Sequence, residues 1–162
     1  MFNQNLNDQY RKFIIPDKLV FMKNFFFSVT PAWPEEALGI VRILVGLFMI
    51  YHGCEIFDDA KMNDYATWEV FKKFSSPGFI VYGGKIAELT AGILISIGFL
   101  TRIACIILAS TMIYISFFVG KGIIWYGDQH PFLFVLLAMI FLFVGPGRWS
   151  ADKSVFSINK TK

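Results

Sequence analysis

Five ionisable residues lie inside two stretches of the sequence that are otherwise apolar enough to cross a membrane. Arg42, His52 and Glu55 belong to the first stretch, and Lys85 and Glu88 belong to the second. Ionisable groups are costly inside a membrane span, so they normally face the protein interior and pair with one another. Such a group is a candidate functional site by default, where a ligand headgroup binds or a proton moves. The alternative is that the charges serve only to hold helices together.

The depth of each charge follows from the helical rise of about 1.5 Å per residue. Arg42 lies about 6 Å from the centre of the first stretch, and Glu88 lies close to the centre of the second, which runs the opposite way. A long Arg side chain can bridge that gap, so we predict an Arg42–Glu88 ion pair. On the same basis we expect Lys85 to lie near His52 and Glu55, towards the outer side of the membrane.

A sixth candidate, His130, directly precedes the last apolar stretch. It is expected either to cap the pocket above Lys85 or to lie in a solvated loop. Cys54 and Cys105 form no CxxC pair, and no set of three metal ligands has a recognisable spacing. We therefore assign no metal ligand and no catalytic residue. The candidate ligand-binding residues are Arg42, His52, Glu55, Lys85, Glu88 and His130.

The composition indicates the medium that surrounds these residues. Hydrophobic residues make up 56% of the 162 residues and charged residues 17%, against roughly 45–50% and 25% in soluble domains. A chain this small cannot bury so much apolar surface, because the buried fraction falls with domain size. The excess must face lipid, so we predict an integral membrane protein. A net charge of +3 does not indicate a nucleic-acid partner.

Four apolar stretches approach the length of about 20 residues that a membrane helix needs. They cover residues 34–57, 79–100, 103–119 and 131–144. The second and third, and the third and fourth, are joined by short connections, which favours antiparallel neighbours. We predict an all-α fold, an integral membrane four-helix bundle of two antiparallel hairpins. A soluble bundle is disfavoured because the last two stretches carry no charged residue along their apolar runs.

The arrangement of Lys and Arg predicts the orientation of the chain. With the N-terminus inside, nine of these residues fall on the cytoplasmic side and four outside. We therefore expect both termini in the cytoplasm, in the inner (plasma) membrane of a bacterium. The predicted organisation is a cytoplasmic tail with an interfacial segment (1–33), a four-span membrane domain (34–150) and a second cytoplasmic tail (151–162). Between the first two spans, residues 58–78 are expected to form a helix in the membrane interface.

Small residues predict where helices approach closely. In the first stretch they recur every seven residues, at Gly39, Gly46 and Gly53. In the second stretch they are Gly83, Gly84 and Gly92. Both sets are expected to pack against another helix, and the first would also permit a homodimer. After the last stretch, Arg148 is expected to reach lipid headgroups, with Trp149 at the membrane boundary.

Three segments of the sequence form a recognisable combination. They are GIVRILVGLFMIYHG (39–53), GGKIAELTAGILISIGFLTRIA (83–104) and GPGRWSAD (145–152). Together they resemble the DoxX family of small four-helix membrane proteins. By this resemblance, Arg42 and Glu88 match polar positions typical of the family's first two helices. The family usually has a lysine near the outer end of the first helix, where this chain has Glu55, and Lys85 lies on the neighbouring helix instead.

The resemblance also suggests a class of function. Some members of the family are implicated as membrane subunits in thiosulfate oxidation coupled to quinone. The leading hypothesis is an accessory subunit that binds a lipophilic small molecule, with quinone as the candidate, in a polar pocket within the bilayer. It would serve a redox or envelope process beside a membrane redox partner, without catalytic activity of its own. The alternative is a non-catalytic anchor or assembly partner that has no ligand.

Overall fold

Seven α-helices occupy residues 33–156, the part of the chain that the computed structural model describes, and no strand occurs within it. They are α1 (Pro34–Gly53), α2 (Asp59–Ala66), α3 (Glu69–Lys72), α4 (Pro77–Ile97), α5 (Thr101–Tyr114), α6 (Gln129–Val144) and α7 (Ala151–Phe156). A 3₁₀ turn, Cys54–Phe57, continues α1, and a π-helical segment, Ile115–Val119, continues α5. The predicted tail at 1–33 lies outside the described residues, apart from its last position.

Three helical segments are long and apolar enough to cross a membrane. They are Pro34–Phe57, Pro77–Ile97 and Thr101–Val119, and each agrees with a stretch predicted from the sequence to within three residues at either end. Only 33% of the first and 28% of the other two are buried inside the protein, so most of their apolar residues face outward. The fourth predicted stretch forms α6, which has 16 residues and is shorter than the usual span of about 20.

The main hydrophobic core draws on four helices. Its buried residues include Met49 of α1, Ile95 of α4, Leu108 of α5 and Phe141 of α6. Helices α4 and α5 are joined by a very short turn, in which Gly98 adopts φ 72° and its N–H donates to the Leu94 carbonyl at 2.9 Å. A left-handed residue at this position is the usual way to end a helix, and it costs glycine no steric strain.

Helices α1 and α4 approach each other at their glycines. A Cβ added to Gly53 would lie 2.5 Å from the Leu89 Cα, and one added to Gly92 would lie 2.7 Å from the Ile50 nitrogen. Gly46 meets the backbone of α4 in the same way. At these three positions the predicted close approach is confirmed, and the facing helix belongs to the same chain.

The other glycines behave differently. Gly39 faces the closing part of the chain, where an added Cβ would lie 2.6 Å from the Arg148 carbonyl oxygen. Nothing lies within 4 Å of a Cβ added to Gly83 or Gly84. The expectation that these two glycines pack against a helix is wrong, because they border open space instead.

Residues 58–78 form two short helices rather than one. Asp58 caps α2 by accepting a hydrogen bond from the Lys61 N–H at 3.2 Å. The helix ends at Ala66, and α3 begins at Glu69. Phe71 is buried with residues of α2 and α4 in a second core cluster. The prediction of a single helix is therefore wrong, because residues 67–68 interrupt it, and the location in the membrane interface stays a prediction.

The closing segment, residues 145–153, binds to the start of α1. The Arg148 N–H donates to the Glu35 carbonyl at 2.9 Å, and the Arg148 guanidinium forms an ion pair with Glu36. Lys153 pairs with the Glu35 carboxylate. Arg148 thus pairs with an acidic residue in the first turn of α1, and its side chain remains largely exposed; the expectation that it reaches lipid headgroups stays a prediction.

The closing segment also caps α5. The Asp152 carboxylate accepts from the Leu100 N–H at 2.7 Å and from the Thr101 N–H at 2.9 Å. The Asp152 N–H donates to the Gly98 carbonyl at 2.8 Å. Backbone donors at a helix N-terminus have no partner within the helix, so this aspartate satisfies groups that the α4–α5 turn leaves open.

Candidate functional site

The candidate site is centred on Lys85 of α4. Its ammonium nitrogen lies 2.8 Å from Glu55 Oε2 and 2.9 Å from Glu88 Oε2, and it donates to the His52 carbonyl at 3.4 Å. Lys85 and Glu88 share a helix face because they are three residues apart. The predicted placement of Lys85 near His52 and Glu55 is confirmed.

Helix α2 adds two residues that the sequence did not indicate. The Tyr65 hydroxyl donates to Glu55 Oε2 at 3.0 Å, and the Lys61 ammonium lies 3.2 Å from Glu55 Oε1. Burial, followed by the hydrogen bond to Glu55, raises the pKa of Tyr65. The hydrogen bond to Glu55 raises the pKa of Lys61. The sequence offered only Asp58, which marks the start of α2 as its capping residue; the position of α2 beside Glu55 depends on tertiary contacts.

Arg42 occupies a different part of the molecule. It is fully buried, and its guanidinium donates to the Ile95 and Trp149 carbonyls, each at 3.0 Å. The predicted Arg42–Glu88 ion pair is wrong. Ile95 lies seven residues beyond Glu88, about 10 Å along α4, and the last carbonyls of a helix lack partners and attract a cation. Glu88 instead pairs with Lys85, one turn away on its own helix.

A cavity of about 670 Å³ opens beside Lys85. It is bordered by five of the six predicted ligand-binding residues: His52, Glu55, Lys85, Glu88 and His130. The His52 and His130 rings meet edge to face, with centroids 5.6 Å apart, and His130 also contacts Phe134 at 5.2 Å. His130 lies in the first turn of α6, is exposed and borders the cavity.

The rest of the cavity wall is largely apolar. It is formed by residues of α3, α4, α5 and α6 together with the π-helical segment, among them Phe71, Val81, Met112, Ile115, Pro131 and Phe134. Gly83 and Gly84 border the same space, which explains why no neighbour fills the position of their missing side chains. A π-helical turn often occurs at a functional site, and here two of its residues, Ile115 and Val119, line the cavity.

The chemistry of the wall suits a molecule with a polar head and an apolar body. The lining combines ionisable side chains, two carboxylates, two imidazoles and the Lys85 ammonium among them, with aliphatic and aromatic groups. Among residues 33–156 no cluster of three His, Cys, Asp or Glu side chains could hold a metal ion. The two cysteines are free, Cys54 exposed and Cys105 buried.

Comparison with known proteins gives a consistent result. A family model named DoxX matches residues 37–121. An uncharacterized membrane protein of Mycobacterium tuberculosis is 28% identical over 150 residues, which cover 78% of this chain and 90% of that protein. No solved structure matches the chain.

Proposed function

Because this chain belongs to the DoxX family of membrane proteins, we propose that it binds a lipophilic small molecule in the cavity beside Lys85. A quinone is the candidate ligand. In this proposal the chain is an accessory subunit that presents its ligand to a membrane redox partner, or serves a process of the cell envelope, and has no catalytic activity of its own.

The observation that carries the proposal is a cavity beside charges that are largely shielded from solvent, Glu88 being 4% exposed, Lys85 14% and Glu55 17%. Helices held together only by ion pairs would be expected to pack closely around them, because an unfilled volume forfeits dispersion contacts. Here the Glu55–Lys85–Glu88 group borders about 670 Å³ of space, within the usual range of about 300–1,000 Å³ for ligand sites. Gly83 and Gly84 keep that space open where any other side chain would narrow it.

The polar groups suggest how a ligand head is held. An ammonium has three protons to donate, and those of Lys85 are directed to Glu55, Glu88 and the His52 carbonyl. The two imidazoles are therefore the better donors for a ligand carbonyl, such as that of a quinone. His52 and His130 both border the cavity, together with Glu55, Lys85 and Glu88.

The topology that we propose for the membrane includes α6 as a fourth span. Its 16 residues rise about 24 Å, which approaches the hydrocarbon thickness of about 30 Å. It shares the main core with α1, α4 and α5. With four spans both termini lie on one side, and the excess of Lys and Arg there supports a cytoplasmic location in the inner membrane. Association with a second copy remains part of the proposal.

The test is to identify the molecules that the protein carries. We would purify it in a mild detergent, extract it with organic solvent and analyse the extract by mass spectrometry. The variant Glu88→Gln keeps the shape of the side chain and removes its charge. Glu69→Gln is the matched control, because Glu69 is an exposed residue of α3 that pairs with Lys72.

We expect a stoichiometric lipophilic molecule in the natural protein and in Glu69→Gln, and its loss from folded Glu88→Gln. Equal amounts of bulk phospholipid in all three samples would contradict the proposal and favour the anchoring protein. That alternative makes its own prediction: Lys85→Met would lower the unfolding temperature, and adding Glu88→Gln would recover much of the loss. The paired charges would then act only on helix packing, since no ligand is involved.

A further inference from the structure

A second cavity lies on the other side of the two histidines. It has a volume of about 500 Å³ and forms a groove on the surface of the protein. Its lining residues are Leu44, Leu47, Phe48, Tyr51, His52 and His130. We call it the α1 groove, because all but the last of these residues belong to α1.

The apolar residues of the α1 groove are exposed on a helix that is long and apolar enough to cross a membrane. Leu47 is 52% exposed and Phe48 is 57% exposed, and both lie near the middle of the span Pro34–Phe57. Only lipid or another apolar partner can cover such residues at that depth. From Leu44 to Tyr51 the groove extends along seven residues of helix, or about 10 Å.

His52 and His130 are the two residues that line both the groove and the inner cavity, so the two spaces adjoin at these side chains. Their contact is edge to face at 5.6 Å. Within residues 33–156 neither imidazole has a hydrogen bond to hold it in place, in contrast to Lys85 with its two carboxylates. Because the two imidazoles contact each other only edge to face, rotation of either side chain can connect the groove with the inner cavity.

We propose that the ligand is a long-chain amphiphile whose hydrocarbon tail passes between His52 and His130 and lies in the α1 groove. Its polar head occupies the inner cavity beside Lys85. This inference rests on the proposed function and narrows it, because a compact lipophilic molecule would fill the inner cavity alone. Lipid is as apolar as the groove, so the tail gains little binding energy there, and the groove serves as the ligand's path from the bilayer.

The test is a photocrosslink from the groove. Phe48 is replaced by the photoreactive analogue p-benzoylphenylalanine, which keeps an aromatic ring at that position. The matched control carries the same analogue at Phe79 of α4, which is 78% exposed and lines neither cavity. Both variants are also made with Glu88→Gln, and Leu47 provides a second position in the groove. Adducts are identified by mass spectrometry and compared with the solvent extract.

We expect the Phe48 position to attach the molecule found in the extract, and we expect that adduct to be lost with Glu88→Gln and absent at Phe79. Phospholipid adducts alone at both positions, with a Glu88-dependent molecule still in the extract, would overturn the inference and leave the proposed function standing. A peptide adduct at Phe48 would also overturn it, since protein would then occupy the groove. An extract without a Glu88-dependent molecule would refute both proposals.

Discussion

Two glycines of α4 provide a matched pair for testing how this protein is packed. Gly92 lies against α1, where an added Cβ would be 2.7 Å from the Ile50 nitrogen and 2.9 Å from the Met49 carbonyl carbon. Gly83 lies on the same helix, and nothing is within 4 Å of a Cβ added there. The substitutions Gly92→Ala and Gly83→Ala thus add the same methyl group to one helix in opposite environments.

The magnitudes follow from the contacts. Alanine favours a helix over glycine by about 1 kcal/mol, which both variants gain. Ordinary contact begins at 3.4 Å, so Gly92→Ala forces α1 back by about 0.7 Å. A displacement of that size opens a gap between the helices and loses a quarter to a half of the dispersion energy of each contact, or about 1 kcal/mol for the Met49 side chain alone. Overpacking typically costs about 1–3 kcal/mol. We expect Gly83→Ala to be more stable than Gly92→Ala by roughly 2 kcal/mol or more.

The free energy of unfolding would be measured in mixed micelles with increasing sodium dodecyl sulfate, followed by circular dichroism. Gly83→Ala should unfold at the same denaturant fraction as the natural protein or later, and Gly92→Ala should unfold earlier. If Gly92→Ala proved as stable as Gly83→Ala, the close contact between α1 and α4 would be refuted, together with the role assigned to Gly46 and Gly53.

Two further predictions concern the ends of the bundle. Asp152→Ala should lower the free energy of unfolding by about 1 kcal/mol, because two backbone donors at the start of α5 lose their acceptor. The control Asp64→Ala, an exposed change on α2, should leave the free energy of unfolding unchanged. Equal effects of the two substitutions in the same denaturant assay would argue against the cap. The pKa of Tyr65 is higher in the folded protein than in the unfolded chain, where it is about 10. The neutral phenol therefore stabilises the fold below a pH of about 10, and this stabilisation is lost as the pH rises through the folded pKa. Tyr65→Phe should therefore reduce the loss of thermal stability above a pH of about 10. An unchanged alkaline stability profile would contradict the partly buried contact of Tyr65 with Glu55.

The sequence was sufficient for the features that depend on one helix at a time. Apolar length predicted the three long spans, because the hydrocarbon thickness sets it. The spacing of three residues between Lys85 and Glu88 also puts them on one helix face, although Glu88 was assigned to Arg42 instead. The cost of burying polar groups in a membrane also indicated His52, Glu55, Lys85 and Glu88, which border the cavity, whereas His130 was left between two alternatives. These arguments need no knowledge of how neighbouring helices are aligned.

The errors arose where the alignment of two helices decides the contact. The Arg42–Glu88 pair was inferred from depth alone, but packing places Arg42 opposite the carbonyl end of α4, two turns from Glu88. Tyr65 was missed as a partner of Glu55 because the reversal of the chain after Asp58 depends on tertiary contacts. Gly83 was taken for a packing position, since a glycine beside a cavity and a glycine beside a helix look the same in a sequence.

The two acceptors of Arg42 have a consequence for the order in which the protein is made. Ile95 is synthesised 53 residues after Arg42, whereas Trp149 follows only after 107 residues. At about 5–20 residues per second, roughly 3–11 s pass between the synthesis of Ile95 and that of Trp149. During that time the Arg42 guanidinium has one of its two carbonyl partners available. The nascent chain therefore carries an incompletely bonded cation through most of its insertion into the membrane. The bond from Arg42 of α1 to the Trp149 carbonyl forms only after the closing segment has been synthesised, so that segment supplies a partner for a cation made 107 residues earlier.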